Sequence, residues 1–414
     1  MATAAVRIEE FDPPDYDPLQ SDELNFGNAA DPYPRIHQLR AQGSVLEGDY
    51  SSHFGVASMP RPGVPRFIIL GTTEITEVLT DQTRFSNAAY RDNLGTTFGM
   101  GSISTMDHPE HGRFRKIFQK IFLPQHVRTW GDSIVDPVVR DLMSGFVDTG
   151  KADLVRQFTI LYPFEVIYRQ LDLPREDVRT FQRLAIGQTD FMTPGRAQEA
   201  ARKLGTYFEA LVVERRAKPT DDIVSLLANT EVDGDYLPDL VLLSFLRQLM
   251  NAAGDTTYRG TSILLTALLQ NPDQLEELRA DRSLIAPAIE EALRWDGPVL
   301  MQTRMAAIDT TLGGMSIPAG AVLDVVAGAA NRDPEIWEHP DTFDIHRKRN
   351  AHWSFSRGPH ICVGQHLARV EMTRAMHALL DELPGLRLDP HEPAPRVRGI
   401  MMRVPEHIHV RFDR

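Results

Sequence analysis

One cysteine, Cys362, serves all 414 residues. It lies in the run Phe355-Ser-Arg-Gly-Pro-His-Ile-Cys-Val-Gly364. A lone sulfur cannot close an intrachain disulfide, build a four-cysteine iron–sulfur site or complete a structural zinc cage. Two uses are left for its thiolate: attack on a substrate, or an axial bond to a haem iron. The surrounding residues favour the second. Gly358 and Gly364 have no side chain, so the backbone there can approach a flat macrocycle closely. Beyond Gly364 the chain reads Gln-His-Leu-Ala-Arg-Val-Glu-Met, which has helical periodicity. The sulfur therefore precedes a helix start, where free N–H groups and the positive dipole end favour thiolate over thiol.

Phe355, Gly358, His360, Cys362 and Gly364 match, in order and spacing, the cysteine-ligand loop of the cytochrome P450 superfamily of haem-thiolate monooxygenases, and the chain resembles that family. Ser356 is a departure, standing where the family usually has a second glycine; serine is small and turn-compatible, so little change is expected there. The resemblance implies a mainly α fold with small β sheets, closing as a single domain around a buried haem b (iron protoporphyrin IX). It gives Cys362 as the iron ligand and places Phe355 and Gly364 against the cofactor. The expected organisation is an acidic N-terminal lead-in over residues 1–30, hugging the surface, and one catalytic domain over residues 31–414.

The bulk properties agree with this. The chain is 42% apolar and 24% charged, enough for a sizeable core, and no stretch approaches the ~20 apolar residues of a membrane span. The start has neither the basic nor the apolar region of a secretory signal. Without span, signal or disulfide, the expectation is a cytoplasmic protein, a monomer, with no membrane partner. Lys plus Arg number 44 and Asp plus Glu 57, a net charge of −13, which disfavours nucleic acid. Between His111 and Arg128 the balance reverses: Arg113, Arg115, Lys116, Lys120 and Arg128 occur with no acidic residue. A basic stripe on an acidic protein suits an acidic protein partner, and a plain solvated helix face is the competing reading.

Helical patterns dominate. Asp31-Pro32 opens a helix that Gly43 stops. Short strands are expected at Arg66–Leu70, around Gly313-Gly314, and over Val397–Phe412 with Pro405 at its turn. A helix from about Pro238 to Gln270 would run about 50 Å. Midway it reads Met250-Asn-Ala-Ala-Gly-Asp-Thr-Thr257. Glycine in mid-helix costs about 1 kcal/mol, and a buried acid needs a partner, so a purely structural helix has no need of either. This run resembles the family's oxygen-binding groove, with Asp255 and Thr256 as the acid–alcohol pair that delivers protons. Ala252 stands one turn earlier against the cofactor, and Ala253 replaces the more usual glycine.

Glu291 and Arg294 share a helix face at i,i+3. The resemblance joins them to Arg347 as a buried structural triad near the cysteine side. His111 and Arg115, at i,i+4, offer two donors to buried carboxylates; in the family their positions grip the haem propionates, as do those of Arg304 and His360. The substrate pocket is expected among the loop from Tyr90 to Ser104, the break at Pro194-Gly195, Val299 to Met301, and Ile400 to Met402, including Met401. Gln248 or Asn251 would bond a polar group on an otherwise apolar ligand, unless neighbouring backbone satisfies their amides.

The implied activity is insertion of one oxygen atom from O₂ into a C–H or C=C bond of a medium-sized hydrophobic small molecule. The two electrons required have no collecting site in this chain: no nucleotide-binding glycine turn is present, and one cysteine holds no cluster. A [2Fe-2S]-type or similar acidic ferredoxin with a reductase drawing on NAD(P)H is therefore expected, docking at Arg113, Lys116 and Lys120. The alternatives are a peroxide-driven haem-thiolate peroxygenase and a non-catalytic haem-based binding or sensing protein.

Overall fold

The computed structural model describes residues 7–11, 16–57, 61–348 and 351–414. Its largest sheet grows from the apolar run Phe67-Ile-Ile-Leu70, whose residues are 4% exposed or less. Strand Arg66–Ile69 pairs antiparallel with Val45–Glu47 and parallel with Val322–Val325. The latter pairs with Gln302–Ala306, and Phe85–Ser86 closes the order. Such burial on both faces explains why this strand reads as a continuous apolar run. Gly313 and Gly314 form a two-residue hairpin turn, both with positive φ, joining Thr310–Leu312 to Met315–Ile317, as their sequence predicts.

The C-terminal expectation needs a correction. Pro405 is in strand Val404–Pro405, opposite Val397, and the reversal falls near Gly399 at φ 106°. A two-stranded ribbon has only edge positions, where proline's missing N–H is tolerated.

The long helix runs from Asp239 to Gln270, within one residue of its expected start. Asn271 ends it by returning its side-chain amide to the Ala267 carbonyl (2.8 Å), and Pro272 begins the next helix. Its main neighbour is the helix Tyr162–Gln170. Gly254 is explained by that contact: a Cβ there would run into the Phe164 ring. The mid-helix glycine thus serves helix packing.

The acidic start is not a surface-hugging lead-in where it is described. Phe11, Tyr16 and Leu19 are buried in the main core, and the helix Pro18–Phe26 is capped by Asp17, which accepts from Leu19 N (3.0 Å). Ser21 and Asn25 both donate to the buried Asp190 (2.6 and 2.9 Å). Asp17 pairs with Arg156 (3.0 Å) and Asp22 with Arg259 (2.8 Å), internal partners that a composition reading cannot see. No helix among the described residues is long and apolar enough to cross a membrane.

Candidate active site

The cysteine loop is held by its own backbone. Cys362 N donates to Phe355 O (2.9 Å) and Ile361 N to Gly358 O (3.1 Å). Gly358 is required at φ 68°, and its bare face lies against the Leu79 carbonyl, so it serves loop packing and not cofactor approach. Gly364 has the opposite setting: a Cβ there would meet nothing within 4 Å, and the residue lines the central cavity. Ser356 sits at φ 61°, a left-handed conformation that costs a residue with a Cβ about 1 kcal/mol. Its hydroxyl donates to Gln302 Oε1 (3.0 Å), which offsets part of that cost. The departure from glycine is therefore not neutral.

Helix Gln365–Glu382 follows the loop directly. Burial pushes the Cys362 thiol up, against the N–H of Gly364, the charges of Arg115 and Arg369, and the N–H of Gln365. The N–H groups at the helix start do favour the thiolate, but burial outweighs them. A bound metal ion would deprotonate the sulfur outright.

Cys362 lines a cavity of about 650 Å³ together with Ala252, Ala253, Asp255 and Thr256 of the long helix. Thr256 donates its hydroxyl to the Ala252 carbonyl (3.2 Å). Asp255 is 5% exposed and accepts at Oδ1 from Arg259 Nε (3.1 Å) and Nη2 (3.0 Å). Gln248 and Asn251 also line the cavity, but their amides are engaged. Ser102 donates to Gln248 Oε1 (2.7 Å), Gln248 Nε2 donates to Ser104 (2.6 Å), and Asn251 Nδ2 donates to the Ala185 carbonyl (2.9 Å). Both ends of the Gln248 amide are therefore engaged by serines, while Asn251 commits its Nδ2 to backbone.

At the cavity edge four basic side chains converge. His111 and Arg115 come from helix Glu110–Ile121, Arg304 from strand Gln302–Ala306, and His360 from the cysteine loop. The His111 and His360 rings stack at 3.8 Å, and the Nε2 of each is buried without a hydrogen-bond partner. Burial and then the Arg115 charge bring His111 down to about 4. Burial followed by His111, Arg304 and Arg115 brings His360 down to about 2. Arg304 is 3% exposed and donates to the Thr303 carbonyl (2.8 Å); among the described residues no carboxylate pairs with it. Unmatched buried donors of this kind demand an anion, and the carboxylates of a haem fit that demand.

Glu291, Arg294 and Arg347 come together. Arg294 is bidentate on Glu291 (both 2.7 Å), and Arg347 Nε bonds the same carboxylate (2.9 and 3.1 Å). Arg294 also donates to the carbonyls of Asn331 and Pro340, tying helix Ile285–Trp295 to the segment that leads into the cysteine loop. A pair not picked out from sequence lies beside them: Arg369 is bidentate on Glu290 (2.6 and 2.9 Å) and stacks over the Phe355 ring (4.4 Å).

Of the expected pocket residues, Val299, Met301 and Met401 line the cavity, and Ile400 does not. Ile400 is fully buried in a second apolar core, with its N–H on the Phe26 carbonyl (2.8 Å). The break at Pro194-Gly195 is likewise not on the wall, which is formed there by Thr189, Phe191 and Met192. Arg113, Lys116 and Lys120 are exposed, and Arg113 is ion-paired with Asp233.

Comparison with known proteins agrees with this geometry. Residues 193–406 match the family model for cytochrome P450. The chain is 33% identical over 390 residues, 90% of each sequence, to the cytochrome P450 monooxygenase PikC of Streptomyces venezuelae. It superimposes with a TM-score of 0.83 on the cytochrome P450 PksS of the Bacillus subtilis bacillaene polyketide synthase, at 27% identity, covering 96% of this chain and 100% of that one. P450BioI, solved in complex with a hexadec-9Z-enoic acid-ligated acyl carrier protein, gives 0.81 at 28% identity, covering 92% and 99%. With its cysteine loop, its acid–alcohol helix and its unmatched basic cluster around one cavity, this chain belongs to the cytochrome P450 family of haem-containing monooxygenases.

Proposed function

We propose that the chain hydroxylates or epoxidises a medium-sized hydrophobic small molecule. One atom of O₂ enters the substrate and the other leaves as water, consuming two electrons and two protons. The observation that carries this reading is that Cys362 lines the same cavity as Asp255 and Thr256. Cys362 would bind the iron, His111, Arg115, Arg304 and His360 the cofactor's carboxylates, and Ala252, Phe355 and Gly364 its faces. When bound, haem supplies the iron at which O₂ is reduced and the thiolate-ligated centre that directs O–O cleavage.

The protein's own groups supply positioning and protons. Thr256 Oγ1 and the Asp255 carboxyl would hold and pass protons to the reduced oxygen. Val299, Met301 and Met401 give the wall an apolar surface suited to a hydrophobic ligand. Glu291, Arg294 and Arg347 act as scaffold. The electrons would come from NAD(P)H through a reductase and an acidic ferredoxin docked at Lys116, Lys120 and Arg113, in the cytoplasm. Asp233 already neutralises part of Arg113, so the two lysines carry most of that attraction.

Reconstitution tests the reading. The purified holoenzyme with ferredoxin, reductase and NAD(P)H should convert a compound selected by its shift of the haem absorption band. Charge reversal of Lys116 and Lys120 should slow reduction at low salt without altering ligand affinity. Equal product rates with hydrogen peroxide alone would instead favour the peroxide-driven alternative.

A further inference from the structure

We infer that Asp22, on the N-terminal helix Pro18–Phe26, is a positioning residue for oxygen activation: it occupies one edge of Arg259 and so leaves the Asp255 carboxyl only partly held. This rests on the proposed proton-delivering role of Asp255. Arg259 is 1% exposed and lies between two buried acids, Asp22 at 8% and Asp255 at 5%. Asp22 meets the guanidinium end-on: Oδ1 accepts from Nη2 (2.8 Å), and Oδ2 lies 2.8 Å from Nη1 as an ion pair without hydrogen-bond geometry. Asp255 has the other edge, and both of its contacts fall on the single oxygen Oδ1. Nη2 is shared between the two acids.

The sharing has a physical consequence. A guanidinium prefers a two-oxygen grip on a carboxylate, with two parallel N–H···O bonds. With Asp22 ionised and end-on, Arg259 cannot turn to give Asp255 that grip. Asp255 then keeps one oxygen beyond the ion pair, on a residue that lines the cavity beside Thr256. Were Asp22 an uncharged amide, Asp255 would become the only anion on Arg259. Both of its oxygens would be drawn onto the Nε–Nη2 edge, away from the cavity, and its exchange of protons would slow.

The helix that carries Asp22 is anchored independently. Ser21 and Asn25 hold Asp190, which also accepts from Arg196 (3.0 Å) and Thr193 N (3.3 Å). That cluster fixes the loop bearing Phe191 and Met192 of the cavity wall. Asp17 caps the same helix through Leu19 N (3.0 Å) and pairs with Arg156, so Asp17→Ala loosens the helix without removing a bond to that loop or to Arg259.

The test uses the holoenzyme with its reductase chain and a bound hydrophobic ligand. Asp22→Asn should lower product formation about tenfold, short of the 10²–10⁴ attributed to losing an acid–base group outright. More NAD(P)H should be spent on hydrogen peroxide, and the H₂O/D₂O rate ratio should rise, with ligand affinity unchanged. Asp22→Glu should restore the partition, and Asp17→Ala should lower Tm without shifting it. A crystal structure of Asp22→Asn decides the placement without turnover: both Asp255 oxygens should lie about 3 Å from Arg259. The inference is overturned if Asp255 keeps its one-oxygen contact, if Asp22→Asn partitions electrons as wild type does, or if Asp17→Ala changes the partition equally. Absence of NAD(P)H-dependent product in wild type would count against the proposed function instead, and the position of Asp255 in the variant would still decide this one.

Discussion

Two parts of this protein handle buried charge in opposite ways. Beside Asp255, Arg259 is matched by that acid and by Asp22, so the protein balances that charge itself. Around His111, Arg304 and His360 no carboxylate among the described residues is ion-paired with any of the three, and two imidazole nitrogens have no protein partner. Matched charge belongs to the folded chain, while unmatched buried donors mark where an anionic cofactor completes the structure. The same residue type, arginine, thus has two meanings that only its partners distinguish.

The sharpest way to break this contrast is to remove one arginine from each side in haem-free protein. Arg259→Leu leaves two buried carboxylates uncompensated and should cost about 3–5 kcal/mol in urea unfolding. Arg304→Leu should cost the haem-free protein nothing, or stabilise it.

A titration sharpens the contrast next. The folded-state value of His111, about 4, lies below its ordinary 6.5. Between those values the unfolded chain binds a proton that the native state refuses, so stability falls as pH falls through this window. The loss attributable to His111 approaches about 3 kcal/mol near pH 4 and is absent above pH 7. Comparing haem-free wild type with His111→Gln across that range isolates it, and the variant should show a shallower acid loss.

With haem bound, Arg304→Leu reverses sign: removing one charge-assisted contact should weaken cofactor retention by about 2 kcal/mol, read as faster haem transfer to a scavenging globin. The smallest effect concerns the loop. Ser356→Gly relieves a left-handed residue but loses the bond to Gln302, for a net gain of about 0.5 kcal/mol, visible as a slightly raised Tm.

The chemistry legible in the sequence is carried by residues that are neighbours along the chain. Cys362 with His360 and Gly364, His111 with Arg115, Glu291 with Arg294, and Asp255 with Thr256 all lie within a few residues of one another. The long helix is legible because its apolar pattern is continuous and Asn271-Pro272 ends it. The illegible part depends on partners far along the chain. Arg259 stands four residues from Asp255, so that half of the pair is within reach, but Asp22 is 237 positions away. Gln248 and Asn251 look like free amides in sequence because Ser102, Ser104 and the Ala185 carbonyl approach only after folding. Gly254 and Gly358 announce a need for space but not its occupant, which is Phe164 in one case and the Leu79 carbonyl in the other. Ile400 and Met401 are equally apolar, and only the packed chain decides which faces the cavity.

The central claim is that the Cys362 sulfur binds the haem iron, and the carbon monoxide difference spectrum of the reduced protein tests it most directly. Wild type should give the strongly red-shifted absorption band of a thiolate-ligated haem, and Cys362→Ser should lose that band even where haem is retained. An unchanged band in Cys362→Ser would contradict the account.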